Sequence, residues 1–195
     1  MLTIVVARYN EPIEWTSGTV NNMTKCIIYN KGSKLDYREC PVIHLPNVGR
    51  EGHTYLYHII NNYDNLSEYT MFLQGHPFDH TPYLESILAS DEWKKPFHVM
   101  SSNIFDRTVN EKQNPYTMLE LYKTIFNRKK KEFSLWFGAG AHFCVSRSTI
   151  RTRPKEFYEK IYTILAYDVN PIEGHAIERF WPMIFLGENL EERSL

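Results

Sequence analysis

The residues best suited to chemistry gather in five short stretches of the chain. Gln74-Gly75-His76-Pro77-Phe78-Asp79-His80 opens from an apolar run and brings one carboxylate and two imidazoles close together. That mix of oxygen and nitrogen donors suits Mn²⁺ better than an all-oxygen magnesium site would. The same residues read equally as a turn in which Asp79 caps the next helix and the histidines face solvent. Asn47-Val48-Gly49-Arg50-Glu51-Gly52-His53 places two glycines and an arginine at a helix entry, where backbone amides and a guanidinium can converge on phosphate oxygens. It has neither the Walker nor the G-x-G-x-x-G spacing, and a plain helix-entry turn is the stronger reading. Arg8-Tyr9-Asn10-Glu11 offers a ring to stack on a base and polar groups for the base edge, although Tyr9 reads equally as a packed core ring. Trp136-Phe137-Gly138-Ala139-Gly140-Ala141-His142 allows close backbone approach beside two large rings, or simply a turn before a strand. Glu173-Gly174-His175 and Glu178 begin a helix, where an acid ordinarily just complements the dipole. There is no G-x-S-x-G elbow, no H-E-x-x-H and no cysteine beside an obvious histidine, so nucleophilic hydrolase chemistry loses support.

Six short apolar runs must position these groups: residues 2–7, 25–29, 41–45, 69–73, 97–100 and 143–146, all read as strands. Between the first two, residues 13–23 leave room for a helix. Leu56, Ile59, Ile60 and Tyr63 recur at helical spacing, as do Met118, Leu121, Tyr122 and Ile125 within 117–126. A short helix at 83–89 and two late ones at 157–167 and 175–185 complete the pattern, the last interrupted or ended near Pro182. Strand and helix alternate at α/β spacing. This predicts a single domain with a central, mainly parallel or mixed sheet of about six strands, helices on both faces, and a ligand crevice at the strands' carboxyl ends. The polar clusters at Arg8–Glu11, Tyr29–Lys31 and Gln74–His80 all lie just past a strand.

Composition narrows the classes. With 22 Lys and Arg against 23 Asp and Glu over 195 residues, the net charge is -1, which argues against a polyanion partner such as nucleic acid. The basic run Arg128-Lys129-Lys130-Lys131 reads as a solvated helix end. Aromatics at 14% imply either a densely packed interior or rings that stack on planar or sugar ligands. Three cysteines without a C-x-x-C pair indicate neither a disulfide framework nor a zinc knuckle, and a reducing compartment is expected. No apolar run approaches 18 residues, so no membrane span and a cytoplasmic location are expected, with the oligomeric state open.

Taken in order, these pieces resemble the GT-A class of nucleotide-sugar glycosyltransferases. IVVARYNE looks like its first strand and base-binding loop, FLQGHPFDH stands where it places an Asp-x-Asp metal motif, GAGAHFCVSR resembles the acceptor-side loop, and EGHAIER sits where an acidic base is expected. The chain also resembles the small glycosyltransferase domain encoded by chlorella viruses, and a group of fungal and algal proteins that share LPNVGREGHTYL and LQGxPFDH. The resemblance implies a GT-A-like, Rossmann-like fold that transfers a sugar from a UDP-sugar to a glycan hydroxyl, with inversion, using Mn²⁺ or Mg²⁺. It assigns Asp79 to the metal, with His76, His80 or His175 completing the ligands, although one aspartate stands where two acids flanking one residue are usual. Tyr9 and its neighbours Arg8, Asn10 and Glu11 would hold the base and Arg50 or Arg8 the phosphates, with Tyr29, Gln74 and Gly138 completing the donor site. Glu173 would be the general base, with Asp168 second. The rival readings are a non-catalytic nucleotide- or sugar-binding module of the same fold and a metal-dependent phosphoesterase.

Overall fold

The computed structural model describes residues 1–111 and 115–187. The strands are β1 (Leu2–Arg8), β2 (Thr24–Asn30), β3 (Val42–His44), β4 (Tyr69–Gln74), β5 (Phe97–Val99), β6 (Ile104–Asn110), β7 (Glu132–Gly138) and β8 (Phe143–Ser146). Six of them form one sheet in the order β3-β2-β1-β4-β8-β5. β1 to β4 run parallel, β8 lies antiparallel to β4, and β5 antiparallel to β8. The expected α/β fold is present: a mostly parallel, Rossmann-like six-stranded sheet flanked by helices.

The helices are α1 (Arg50–Asn62), α2 (Leu84–Ala89), α3 (Pro115–Phe126), α4 (Arg147–Ile150), α5 (Lys155–Leu165) and α6 (Ile172–Leu186). Strand alternation sends successive side chains to opposite cores. Val5, Tyr29 and Phe72 meet Tyr55, Leu56 and Ile59 of α1, Ile161 and Leu165 of α5 and Trp181 of α6 in the larger core. Ile4, Val6, Cys26, Ile28 and Met71 face the smaller one, closed by Ile13, Leu84 and Trp93. The aromatic surplus is mainly packing. Tyr55, Phe72, Phe143, Trp181 and Phe185 form a chain of rings, tilted at the first three steps and stacked at the last, with successive centroids 4.9 to 5.9 Å apart.

Four local expectations need correction. Residues 13–23 form only a 3₁₀ turn, Glu14–Gly18. There the Thr16 and Thr19 hydroxyls donate to the carbonyls of Ile13 and Thr16, competing with helix bonding. α1 starts at Arg50 and takes in residues 50–53, where the sequence suggests a loop or helix-entry turn; there the absence of a side chain at Gly52, whose Cβ would sit 3.1 Å from Leu165 Cδ1, lets α1 and α5 close up. α6 runs through Pro182 to Leu186, since burial of Met183, Ile184 and Phe185 outweighs one lost backbone bond. β6 and β7 pair as a separate antiparallel ribbon that the apolar pattern did not disclose, because β6 is almost wholly exposed.

Candidate functional site

The parallel order β3-β2-β1-β4 means that the chain builds outward from β1 in one direction and then restarts on its other side at β4. Open α/β sheets bind ligands at such a switch point, outside the strands' carboxyl ends. A cleft of about 460 Å³ lies there. It is lined by Ala7, Arg8, Tyr9 and Glu11 from the end of β1, Lys31 after β2, Gln74 closing β4, Asn47, Arg50, Glu51 and Thr54 at the entry of α1, and Val169 and Asn170 between α5 and α6.

Buried bonds hold the cleft wall in place. The Arg8 guanidinium is almost fully buried and donates to Asn30 Oδ1 at 2.7 Å and to the Glu11 and Tyr9 carbonyls, so it braces the loop after β1. Glu11 Oε2 accepts from the Tyr9 amide at 2.6 Å, leaving the Tyr9 ring 52% exposed. Lys31 Nζ donates to the carbonyls of Val48 and Arg50, each at 2.5 Å. Burial lowers its pKa to about 8, with Glu51 pulling the other way. Gly49 and Arg50 both carry positive φ, 65° and 52°. That conformation is natural for glycine and costly for arginine. Arg50 is kept there by the Lys31 bond to its carbonyl and by its own Nη1, 3.1 Å from Asn170 Oδ1 and 3.4 Å from His175 Nε2.

Two features of this wall point to a ligand. Arg50 Nε and Thr54 Oγ1 are buried polar atoms with no hydrogen-bond partner, and both residues line the cleft. Beside them Glu51 is nearly enclosed. Burial raises its pKa, the Arg50 guanidinium with Nε 3.7 Å away opposes the rise, and Glu178 adds to it. Glu178 itself accepts from the Gly140 amide at 3.0 Å. The cleft therefore combines anion-binding donors with a carboxyl group whose proton affinity burial has raised.

The expected donor residues divide. Arg8, Tyr9, Glu11, Arg50 and Gln74 line the cleft. Asn10 instead accepts from the Ser33 amide and hydroxyl, tying two loops together. Tyr29 is a core ring whose hydroxyl meets His58 Nδ1 at 2.9 Å, because strand alternation turns it into the larger core. Gly138 ends β7 pressed against Val99 and Ser101, outside the cleft lining. Neither candidate base lines the cleft. Glu173 accepts from the Tyr167 hydroxyl at 2.6 Å, and Asp168 accepts from the Asn170 amide through Oδ1 and from the Gly49 amide through its backbone carbonyl. Lys31, Glu51, Thr54 and Asn170 are the residues sequence reasoning left without a role. Lys31 belongs to the strand-end cluster Tyr29–Lys31 that the sequence marks without giving it a role, and Glu51 could have been found by its lying next to Arg50 on the helix entry.

The residues expected to bind a cation do not assemble. Asp79 sits in a 3₁₀ turn with its side chain 76% exposed, 3.6 Å from His76 Nε2. His80 turns against Gly140 and His142, and His175 meets Arg50. Among the described residues no three His, Cys, Asp or Glu side chains converge to hold a metal ion. The donor set thus does not fit a divalent cation at Asp79. His142 serves the frame: its Nε2 accepts from the Gln74 amide, its Nδ1 bonds Thr81 Oγ1 at 2.9 Å, and burial drops its pKa to about 3. No helix among the described residues is long and apolar enough to cross a membrane.

No curated protein matches the chain. A family model does, over residues 4–92 and 88–193, so that the match takes in both the cleft and the strands behind it, and the chain belongs to the family described as "Protein of unknown function (DUF3431)".

Proposed function

We propose that the chain is a glycosyltransferase that takes a sugar from a nucleoside diphosphate sugar, with a UDP-sugar as the donor suggested by the GT-A resemblance, and passes it to a glycan hydroxyl. The observation that carries this reading is the cleft at the switch point, where Arg50 Nε, without a hydrogen bond, stands 3.7 Å from the enclosed Glu51 carboxylate. A volume of about 460 Å³ is in the range of small-molecule sites. In this reading the exposed Tyr9 ring stacks on the base, and Arg50 with Lys31 faces the diphosphate.

The chemistry is a single displacement. The acceptor oxygen attacks the anomeric carbon, the bond from that carbon to the phosphate oxygen breaks, and its electron pair leaves with the nucleoside diphosphate. Glu51 takes the proton of the attacking hydroxyl, a role that a raised carboxyl pKa favours. The Arg50 and Lys31 cations meet the negative charge that develops on the leaving group. Since the residues around Asp79 do not make up a cation site, no step is assigned to a metal.

The test is thermal stabilisation of the protein by UDP and UDP-hexoses, with chelator or with added Mn²⁺, followed by product analysis with glycan acceptors. Stabilisation in chelator together with sugar transfer is the expected result. Binding without transfer identifies a non-catalytic module, and phosphate release without acceptor a phosphoesterase. No shift under either condition ends the nucleotide-sugar reading.

A further inference from the structure

We propose that Cys26 and Cys40 are a modification site: a pair of thiols that closes to an intramolecular disulfide under oxidising conditions, at the end of β2 remote from the cleft. The register of β2 with β3 pairs Ile28 with Val42, and the Ile28 amide still donates to the Pro41 carbonyl at 2.9 Å. Two residues further back from this pair, Cys26 lies in β2 and Cys40 in the bend that leads into β3, and both side chains enter the smaller core on the same side as Ile28 and Val42. Neighbouring strands lie about 4.8 Å apart. That spacing falls within the Cα separation of roughly 4.4–6.8 Å that a disulfide spans. In that core the Cys40 thiol donates to Thr16 Oγ1 at 3.7 Å. Interaction with the neighbouring Cys26 thiol, helped by the Thr16 hydroxyl, holds the Cys40 pKa below its ordinary range, which favours Cys40 as the attacking sulfur.

Cys144 is not an alternative partner. Cys26 pairs with Ile4, Ile4 with Met71 and Met71 with Cys144. Three strand spacings, about 14 Å, therefore separate the two cysteines. Both thiols of the pair are buried, but residues 33–39, which lead to Cys40, are mostly exposed, so opening of this segment alone admits a small disulfide.

With glutathione disulfide as oxidant the step balances. The Cys40 thiolate attacks one glutathione sulfur, and a glutathione thiolate leaves. The Cys26 thiol then gives its proton to water and attacks the Cys40 sulfur, expelling the second glutathione. Two protein thiols are oxidised and one glutathione disulfide is reduced to two thiols.

The experiment treats the folded full-length chain with glutathione disulfide, quenches with acid, alkylates under denaturing conditions and maps the peptides. The expected product is a linked Cys26–Cys40 peptide pair with Cys144 alkylated, formed equally in Cys144→Ser, reversed by dithiothreitol, and accompanied by a thermal midpoint several degrees above that of the reduced protein. Alkylation of both Cys26 and Cys40, a persistent glutathione adduct on Cys40, or a link to Cys144 overturns the proposal. The wild-type chain carries the decisive measurement, so it stands even if Cys40→Ser folds poorly.

Discussion

The Lys31 ammonium and the Val48 carbonyl meet at 2.5 Å, and with the equal bond to the Arg50 carbonyl this contact ties the carboxyl end of β2 to the entry of α1. A buried cation thus maintains the backbone shape that aims Arg50 into the cleft. Removing the amine leaves two carbonyls without their donor. Lys31→Met is expected to lower stability by about 2 kcal/mol. It is also expected to weaken nucleotide binding at least tenfold, on the order of 1.4 kcal/mol or more. Urea unfolding and titration calorimetry check the two effects separately, and an unchanged unfolding midpoint would show that the clamp is idle.

The same lysine makes a pH prediction in which stability and binding move oppositely. Its folded pKa is lowered to about 8 from 10.5, so between these values the unfolded chain holds a proton that the folded chain has released. Stability therefore rises with pH through that window, relative to Lys31→Met. Nucleotide binding weakens over the lower part of it, because the cation facing the diphosphate is lost. Parallel pH series of both proteins read this out.

The two glutamates that compete for the role of base can be separated. Glu51→Gln should reduce turnover about 10²- to 10⁴-fold with donor binding retained. Glu173→Gln should stay near wild type, because its carboxylate is engaged with the Tyr167 hydroxyl and does not line the cleft. Steady-state rates with a UDP-sugar measure both. The reverse ranking would return the role to Glu173.

Acid should unfold this protein early. Burial lowers His53 and His58 to about 4 and His142 to about 3. As pH falls from about 6.5, the ordinary histidine value, toward 4, the unfolded chain takes up protons at these three positions and the folded chain does not. Stability therefore drops across that interval, with a slope approaching three protons. Unfolding free energies at several pH values test this, and a flat profile would contradict the burial of these rings.

Gly140 has φ +77°, and a Cβ there would lie 2.3 Å from His80 Cδ2. Gly140→Ala should cost about 1–3 kcal/mol through strain alone. It should also displace the amide that holds Glu178. A fall in the thermal midpoint, compared with Gly18→Ala at an open position, isolates the effect.

The sheet was readable because its signal is local. Leu2–Ala7 and Tyr69–Leu73 are β-branched or large apolar runs whose burial on both faces needs no distant partner to be inferred. β6 was missed because five of its seven residues face solvent, so that its strand state comes from pairing with β7. The site divides in the same way. Arg8, Tyr9 and Gln74 could be placed at the crevice because they end predicted strands and strand ends carry ligands in α/β sheets. Asp79 and Glu173 stand at motif positions, but position in the chain says nothing about direction: one side chain faces solvent and the other a tyrosine hydroxyl.

By itself the sequence determined the class of fold, the six core strands and the crevice edge at which polar strand-end groups collect, since periodicity and residue type act within a few positions. Only the tertiary structure decided which of those groups share a cleft. Placing β4 beside β1, and packing α6 against α1, brings Lys31, Arg50, Glu51 and Asn170 together across as many as 139 positions of chain, and no local pattern encodes a meeting made by sheet order.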